Sequence, residues 1–280
     1  MSSDSDQTHA DTPRDWQEDL ALITEVAKQA GELALSYFGT DPEVWWKSEG
    51  RSPVSAADYA VNALLLEKLR GARPDYGWLS EETDDDDSRL SCDTVFVIDP
   101  IDGTRAFLAS QKTWCVSVAV VHKGRPVAGV LVAPALNEVF MATESGPAIL
   151  NGVPISVATR APQESLRVAA PAELLNAFHG DLRRRLERVA HVPSLAYRLA
   201  LVAAGRIDAT LVLKNAHDWD LAAADLILQQ AGGGLNDVAG QPLLYNRPYV
   251  GHGHLLAGPN DVLPALVSAF APGRQAAQQQ

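Results

Sequence analysis

The sequence predicts a mixed α/β protein, with two helices and an antiparallel-rich sheet in its first half and a layered α/β second half. Three observations carry that reading. Apolar residues recur at helical spacing near the start, and β-branched runs separated by turn residues crowd the stretch 95–142. Beyond 166 the rhythm becomes an alternation of short strands and helices.

The elements follow in order. Residues 1–14, rich in Ser, Asp and Thr, and 273–280, rich in Gln and Ala, read as disordered tails. From Trp16 to Phe38 the positions Leu20, Ile23, Ala27, Ala30 and Ala34 lie on one helical face, with Gly39 as the stop. A second helix is expected from Ser55 to Leu69, capped by Ser55, preceded by Pro53 and followed by Gly71. The charged, turn-rich stretch 45–53 between them has the composition of a surface loop, and a flap over a site has the same composition. Tyr76-Gly77-Trp78-Leu79 reads as a strand leading to Ser80-Glu81-Glu82, and Asp84 to Asp87 as a solvated acidic loop.

Strands are expected at 95–98, 114–121, 126–132 and 139–142, with turns at Lys123-Gly124 and Leu136-Asn137. In the second half, 166–170, 207–213 and 235–238 read as strands, and 172–190, 194–204 and 221–231 as helices. Gly232-Gly233-Gly234 reads as a helix stop, not a phosphate cradle. A boundary near Asn151-Gly152-Val153-Pro154 separates an N-terminal α+β half (15–155) from a C-terminal α/β half (156–272).

At 280 residues the chain is long enough for one large domain or two packed halves. A net charge of −12 argues against a binder of nucleic acid polymers or anionic membranes. Cys92 and Cys115 form neither a metal motif nor a disulfide framework, so a reducing compartment is expected. The polar, acidic start lacks the features of a signal peptide, and no apolar run approaches the ~20 residues of a membrane span. The expected location is cytoplasmic.

The chemistry concentrates at Asp99-Pro100-Ile101-Asp102-Gly103-Thr104. Pro100 is expected to end the strand by removing a donor, Gly103 to permit a sharp turn, and Thr104 to open a helix. Further carboxylates stand at element ends: Glu81 and Glu82, Asp58, and Asp220 after His217-Asp218-Trp219. Hard divalent cations take oxygen ligands and leave room for substrate phosphate, and a two-metal site needs acids from several segments. For Asp58 or Asp220 alone, capping a helix is the stronger reading. It is weak for two carboxylates around a proline turn. His252 and His254 lack metal-ligand partners and read as loop or edge-strand residues, and Arg183, Arg184, Arg185 and Arg188 as a solvated helix face.

These residues resemble the inositol monophosphatase superfamily over about Leu20 to Gly258. The matching pieces are Lys47 with Ser52-Pro53-Val54-Ser55-Ala56-Ala57-Asp58, then Ser80-Glu81-Glu82, Asp99 to Thr104, and Trp219-Asp220-Leu221-Ala222-Ala223-Ala224. The resemblance implies a layered α-β-α-β-α sandwich and a Mg²⁺-dependent, lithium-sensitive phosphomonoesterase acting on a small phosphorylated metabolite. It implies that Glu81, Asp99 and the Ile101 carbonyl hold one ion, that Asp99, Asp102 and Asp220 hold a second, and that Glu81 with Asp58 supports a weaker third. Thr104, with Asp58 behind it, would orient the attacking water, and Glu81 belongs to the same catalytic set. The backbone N–H groups of Gly103 and Thr104, beside Asp102, would receive the phosphate. Many members pair, so a homodimer is the expectation.

Within the family the chain is most similar to the 3′(2′),5′-bisphosphate nucleotidase (CysQ-like) branch, through Ser80-Glu81-Glu82 and through Leu213, where inositol enzymes tend to carry Glu. Arg198 stands where that branch tends to have Lys. It could meet a second phosphate or be a surface arginine on an amphipathic helix. Two departures weigh against the branch: Val168-Ala169-Ala170-Pro171 replaces its Ser-rich segment, and Arg105-Ala106-Phe107 its Lys-Glu-Phe. The expected substrate is adenosine 3′,5′-bisphosphate, with inositol 1-phosphate or another sugar or histidinol phosphate as alternatives. A metal- and phosphate-binding regulatory protein without turnover is the rival from another class, and the complete carboxylate set with Thr104 argues against it.

Overall fold

The computed structural model describes residues 15–47, 52–161 and 163–271. The two expected tails and positions 48–51 of the expected loop lie outside the described residues. The first half contains α1 (Gln17–Tyr37), a hairpin of β1 (Val44–Lys47) and β2 (Ser52–Ser55), α2 (Ala56–Ala72), β3 (Gly77–Ser80), β4 (Thr94–Asp102), α3 (Thr104–Leu108), β5 (Cys115–His122), β6 (Arg125–Ala133), β7 (Glu138–Thr143), β8 (Ile149–Leu150) and β9 (Val153–Pro154). Strands β3 to β9 form one sheet in sequence order, parallel only between β3 and β4. The second half contains β10 (Leu166–Ala169), α4 (Ala172–Leu175), α5 (Gly180–Arg185), β11 (Leu186–Arg188), α6 (Leu195–Ala203), β12 (Ala209–Val212), α7 (Asp218–Gln230), β13 (Gly233–Asp237), β14 (Leu255–Pro259) and α8 (Leu263–Ala269). Its sheet runs β11-β10-β12-β14-β13.

The period-2 alternation of β4 decides the layering. Phe96 and Ile98 face α1 and α2, where Ile23, Ala27, Ala30, Val61 and Leu65 are buried with them. Val95 and Val97 face the other way, into a core shared with Leu199, Val202, Leu221 and Leu226 of α6 and α7. The second sheet closes that same core with Ala169, Val212 and Leu255, and turns Val168, Leu211 and Leu256 toward α4 and α8. The result is the α-β-α-β-α layering, and the two halves share a core across the boundary near 155. Asn151 and Gly152, both at positive φ, turn β8 into β9 at the edge of the first sheet. Close approach of α7 to β6 depends on small residues: a Cβ at Gly129 would stand 3.0 Å from the Ala223 Cα.

Several local expectations fail for identifiable reasons. Pro100 does not end its strand. β4 continues to Asp102 through a bulge between Asp99↔Ser117 and Asp102↔Cys115, where a residue without an N–H costs no ladder bond. The single helix expected over 172–190 is two short helices and a strand: α4 stops at Leu175, Phe178 bridges to Phe270, and α5 starts at Gly180 (φ +68°). Gly71 lies inside the last turn of α2, whose cap is Arg73. Of the three glycines only Gly232 ends a helix. Gly233 starts β13, where a Cβ would come within 2.5 Å of the Leu228 side chain. The acidic run is not merely solvated, because Asp85 accepts from the buried guanidinium of Arg89 at 3.0 Å. Strand β14 has no expected counterpart, since Leu255-Leu256-Ala257-Gly258-Pro259 carries two loop-forming residues. No helix among the described residues is long and apolar enough to cross a membrane.

Candidate active site

The bulge in β4 redirects the chain so that Asp99 and Asp102 both face one cleft of about 260 Å³. Its walls include Pro53, Glu81, Asp99, Ile101, Asp102, Gly103, Thr104 and Asp220. Carboxylate oxygens of Asp99, Asp102 and Asp220 all lie within 4.8 Å of one another. Each acid is held by its surroundings. Asp99 Oδ1 accepts from the Ile101 N–H at 3.0 Å. Asp102 Oδ2 accepts from the Ala196 N–H at 2.7 Å and from the Ser194 hydroxyl. Asp220 Oδ2 accepts from the His217 N–H at 2.7 Å, closing a capping box on α7.

Asp58 stands behind this cluster and does not line the cleft. It occupies the N3 position of α2, where Oδ2 accepts the Ser55 N–H at 2.8 Å and the Ser55 hydroxyl at 2.6 Å. Its Oδ1 accepts the Thr104 hydroxyl at 3.1 Å, and the same hydroxyl lies 3.1 Å from the Ile101 carbonyl oxygen. Gly103 caps α3 at φ +96°, a conformation open to glycine. A Cβ there would also meet Ser194 at 3.1 Å.

Electrostatically the cluster works against itself. Burial, and then the charges of Glu81, Asp102, Asp220 and Asp58, push the Asp99 carboxyl well above the usual range. Asp220 is raised well above that range by burial and by Asp102 and Glu81. Burial raises Asp102, against hydrogen bonds from Ser194 and Ala196 and the nearby Arg198 charge. Buried acids that repel one another and present only oxygen donors have the chemistry of a hard divalent cation site. The residues present fit such an ion: Asp99, Asp102 and Asp220 from the cluster, with Glu81 and the Ile101 carbonyl on the same wall.

Arg198 is not the exposed arginine of an amphipathic helix. Only 8% of it is accessible, it does not line the cleft, and its Nη1 donates to the Val192 carbonyl at 3.2 Å. Two basic side chains that no motif marked as site residues also line the cleft: Arg105, on α3, and His191, in the loop before α6. His191 has its pKa lowered by burial and by the charges of Arg198 and Arg188. Ser194, the first residue of the expected helix 194–204, caps α6 by accepting from the Tyr197 N–H at 3.1 Å, and no sequence signal showed that it also holds Asp102. His252, buried, bonds Asp218 Oδ1 through Nε2 at 2.8 Å, anchoring the first turn of the helix that carries Asp220.

The model of the inositol monophosphatase family matches residues 15–271. An inositol-1-monophosphatase of Mesorhizobium japonicum is 31% identical over 263 residues, covering 89% of this chain and 95% of its own. Among solved structures, an IMPase of Thermotoga maritima superposes with a TM-score of 0.79 at 26% identity, covering 90% of this chain and 96% of that one. CysQ from Bacteroides thetaiotaomicron superposes with a TM-score of 0.73 at 25% identity, over 87% and 98%.

Proposed function

The chain belongs to the inositol monophosphatase family of metal-dependent phosphatases, and from that premise we propose that it hydrolyses adenosine 3′,5′-bisphosphate with Mg²⁺. The observation that supports a substrate with two anionic groups is the mixed lining of the cleft. Mutually repelling acids gather around Asp99, while the Arg105 guanidinium lines the same space, together with a His191 ring that burial and the charges of Arg198 and Arg188 hold toward its neutral form. A second phosphate would meet positive charge there.

Bound Mg²⁺, as two or three ions, supplies Lewis acidity for the phosphoryl oxygens and for a water. The protein's part is placement. Asp99, Asp102 and Asp220 hold charge where the cation is needed, with Glu81 and the Ile101 carbonyl alongside. Asp58, acting through its hydrogen bond to the Thr104 hydroxyl, fixes that hydroxyl to orient the attacking water. The N–H groups of Gly103 and Thr104 receive the phosphate. A cytoplasmic location and a homodimer belong to the same proposal.

Phosphate release from adenosine 3′,5′-bisphosphate and from inositol 1-phosphate, with Mg²⁺ and with Li⁺ added, tests it. The expected result is Mg²⁺-dependent, Li⁺-inhibited release with the higher kcat/KM on the nucleotide, because specificity is a difference in transition-state binding. A higher kcat/KM on inositol 1-phosphate would move the substrate to the inositol class. No release from a wider panel of phosphomonoesters would overturn the catalytic proposal.

A further inference from the structure

The hairpin of β1 and β2 puts an aromatic side chain beside the cleft that none of the roles above uses. Trp45 pairs with Val54, and Trp46 with Pro53. Directly opposed residues share a face of the ribbon and successive residues alternate. One face carries Val54, 1% exposed, and Trp45, whose ring packs edge-on against Tyr59 of α2 at 5.6 Å. The opposite face carries Pro53, which lines the cleft with Asp99, Asp102, Thr104 and Asp220, and Trp46 beside it. Trp46 is 61% exposed. An indole can bury about 150–250 Å² when something covers it, and nothing in the described chain does so here.

The base of the hairpin is held firmly. The Ala56 N–H donates to the Glu43 carbonyl at 2.9 Å, and Ser55 is bound through its N–H and hydroxyl to Asp58. Asp58 is also the partner of Thr104. The ribbon that carries Trp46 is therefore tied to the reacting end of the cleft through one carboxylate. Cleft size adds a second argument. At about 260 Å³ it is smaller than the roughly 300–1,000 Å³ that encloses a whole drug-sized ligand. A phosphate and the sugar next to it would occupy the cleft, leaving a group beyond the sugar at the rim.

We infer that Trp46 is a stacking surface for a planar ring in the leaving group, so that nucleoside phosphates are preferred over cyclitol and aliphatic phosphates. The inference rests on the proposed phosphatase site and names what lies on the far side of its phosphate. Stacking on an aromatic side chain tolerates any base, because every base has a π-face. It therefore selects a ring class and leaves the identity of the base open.

The test measures binding, so that it does not depend on turnover. Phosphonate isosteres of adenosine 3′-phosphate and of inositol 1-phosphate are titrated calorimetrically in Mg²⁺ into the wild type, Trp46→Leu and Trp46→Phe. Trp46 is exposed, so circular dichroism should show all three folded. The wild type should prefer the adenosine phosphonate, Trp46→Leu should lower that preference about tenfold, and Trp46→Phe should keep most of it. An unchanged preference in Trp46→Leu overturns the assignment, and so does a wild type without preference. Phosphate release from the two natural esters is read separately on the same proteins. Preference without release overturns the phosphatase proposal and leaves Trp46 in place, whereas release without a Trp46 effect does the reverse.

Discussion

The Thr104 hydroxyl lies 3.1 Å from Asp58 Oδ1, which joins the first turn of α3 to the first turn of α2. Asp58 is 1% exposed, and burial raises its pKa against the hydrogen bonds from Ser55 and Thr104. A cap on one helix thereby fixes the orientation of a hydroxyl on another.

That contact makes Thr104 replaceable by Ser but not by Val. Thr104→Val should lower kcat by about 10²-fold or more, the scale of a lost proton-handling group, with little change in Tm. Thr104→Ser should retain most activity. Steady-state rates at saturating Mg²⁺ check this, and equal rates in Thr104→Val and the wild type would remove the hydroxyl from the mechanism.

Repulsion within the acid cluster sets the response to metal. Mg²⁺ should raise the Tm of the wild type, since a ligand bound only by the native state stabilises it. Asp99→Asn and Asp220→Asn should fold with a metal-free Tm equal to or above that of the wild type, because each relieves like-charge repulsion. Both should lose the Mg²⁺ increment and nearly all activity. Calorimetric scans in chelator and in Mg²⁺ check the first part, and full activity in both variants would overturn the site.

Asp225 should make stability fall as pH rises. Burial pushes its carboxyl up to about 6 from 3.8, and Oδ2 accepts the Tyr245 hydroxyl at 2.8 Å. A folded pKa above the unfolded one gives a contribution that is full below pH 3.8 and lost as pH climbs through 6. The loss is of order 3 kcal/mol at 1.36 kcal/mol per pKa unit. Asp225→Asn keeps an acceptor for Tyr245 and cannot ionise, so its stability relative to the wild type should grow between pH 4 and 7. Urea unfolding across that range reads it, and a difference flat in pH would refute it.

Arg89, which does not line the cleft, should be a stability residue. Its guanidinium, 1% exposed, donates to Asp85, to Asn246 Oδ1 at 2.8 Å and to the Arg247 carbonyl at 3.0 Å. Arg89→Met leaves these acceptors unpaired and should cost about 2–4 kcal/mol. Asp85→Asn, changing a carboxylate that keeps 30% of its surface, should cost less. Chemical denaturation of both variants measures the contrast, and equal losses would contradict it.

Local information was enough for much of the fold. The periodicity of α1, the cap of α2 at Ser55 and the strands around Lys123-Gly124 are set by neighbours within a few residues, and they stand where the sequence puts them. The segment 172–190 and β14 were not legible in the same way. The first is interrupted where Phe178 bridges to the distant Phe270, and the second is stabilised by pairing with β12 and β13, which end at Val212 and Asp237. The same division runs through the site.

By itself the sequence pointed to the residues that gather at the cleft: the six from Asp99 to Thr104, and acids at the ends of other elements. Only the tertiary structure decided their arrangement. The bulge at Pro100 turns two carboxylates of one strand toward a single cleft, and α7 brings Asp220 from 118 positions beyond Asp102 to within 4.8 Å of both. It also buried Arg198, opened the cleft to His191 and paired Trp46 with Pro53 of the cleft wall. The physical reason is range. Strand propensity, caps and turns act over a few residues, whereas which acids meet, and which cations face them, depends on how two sheets close on one core.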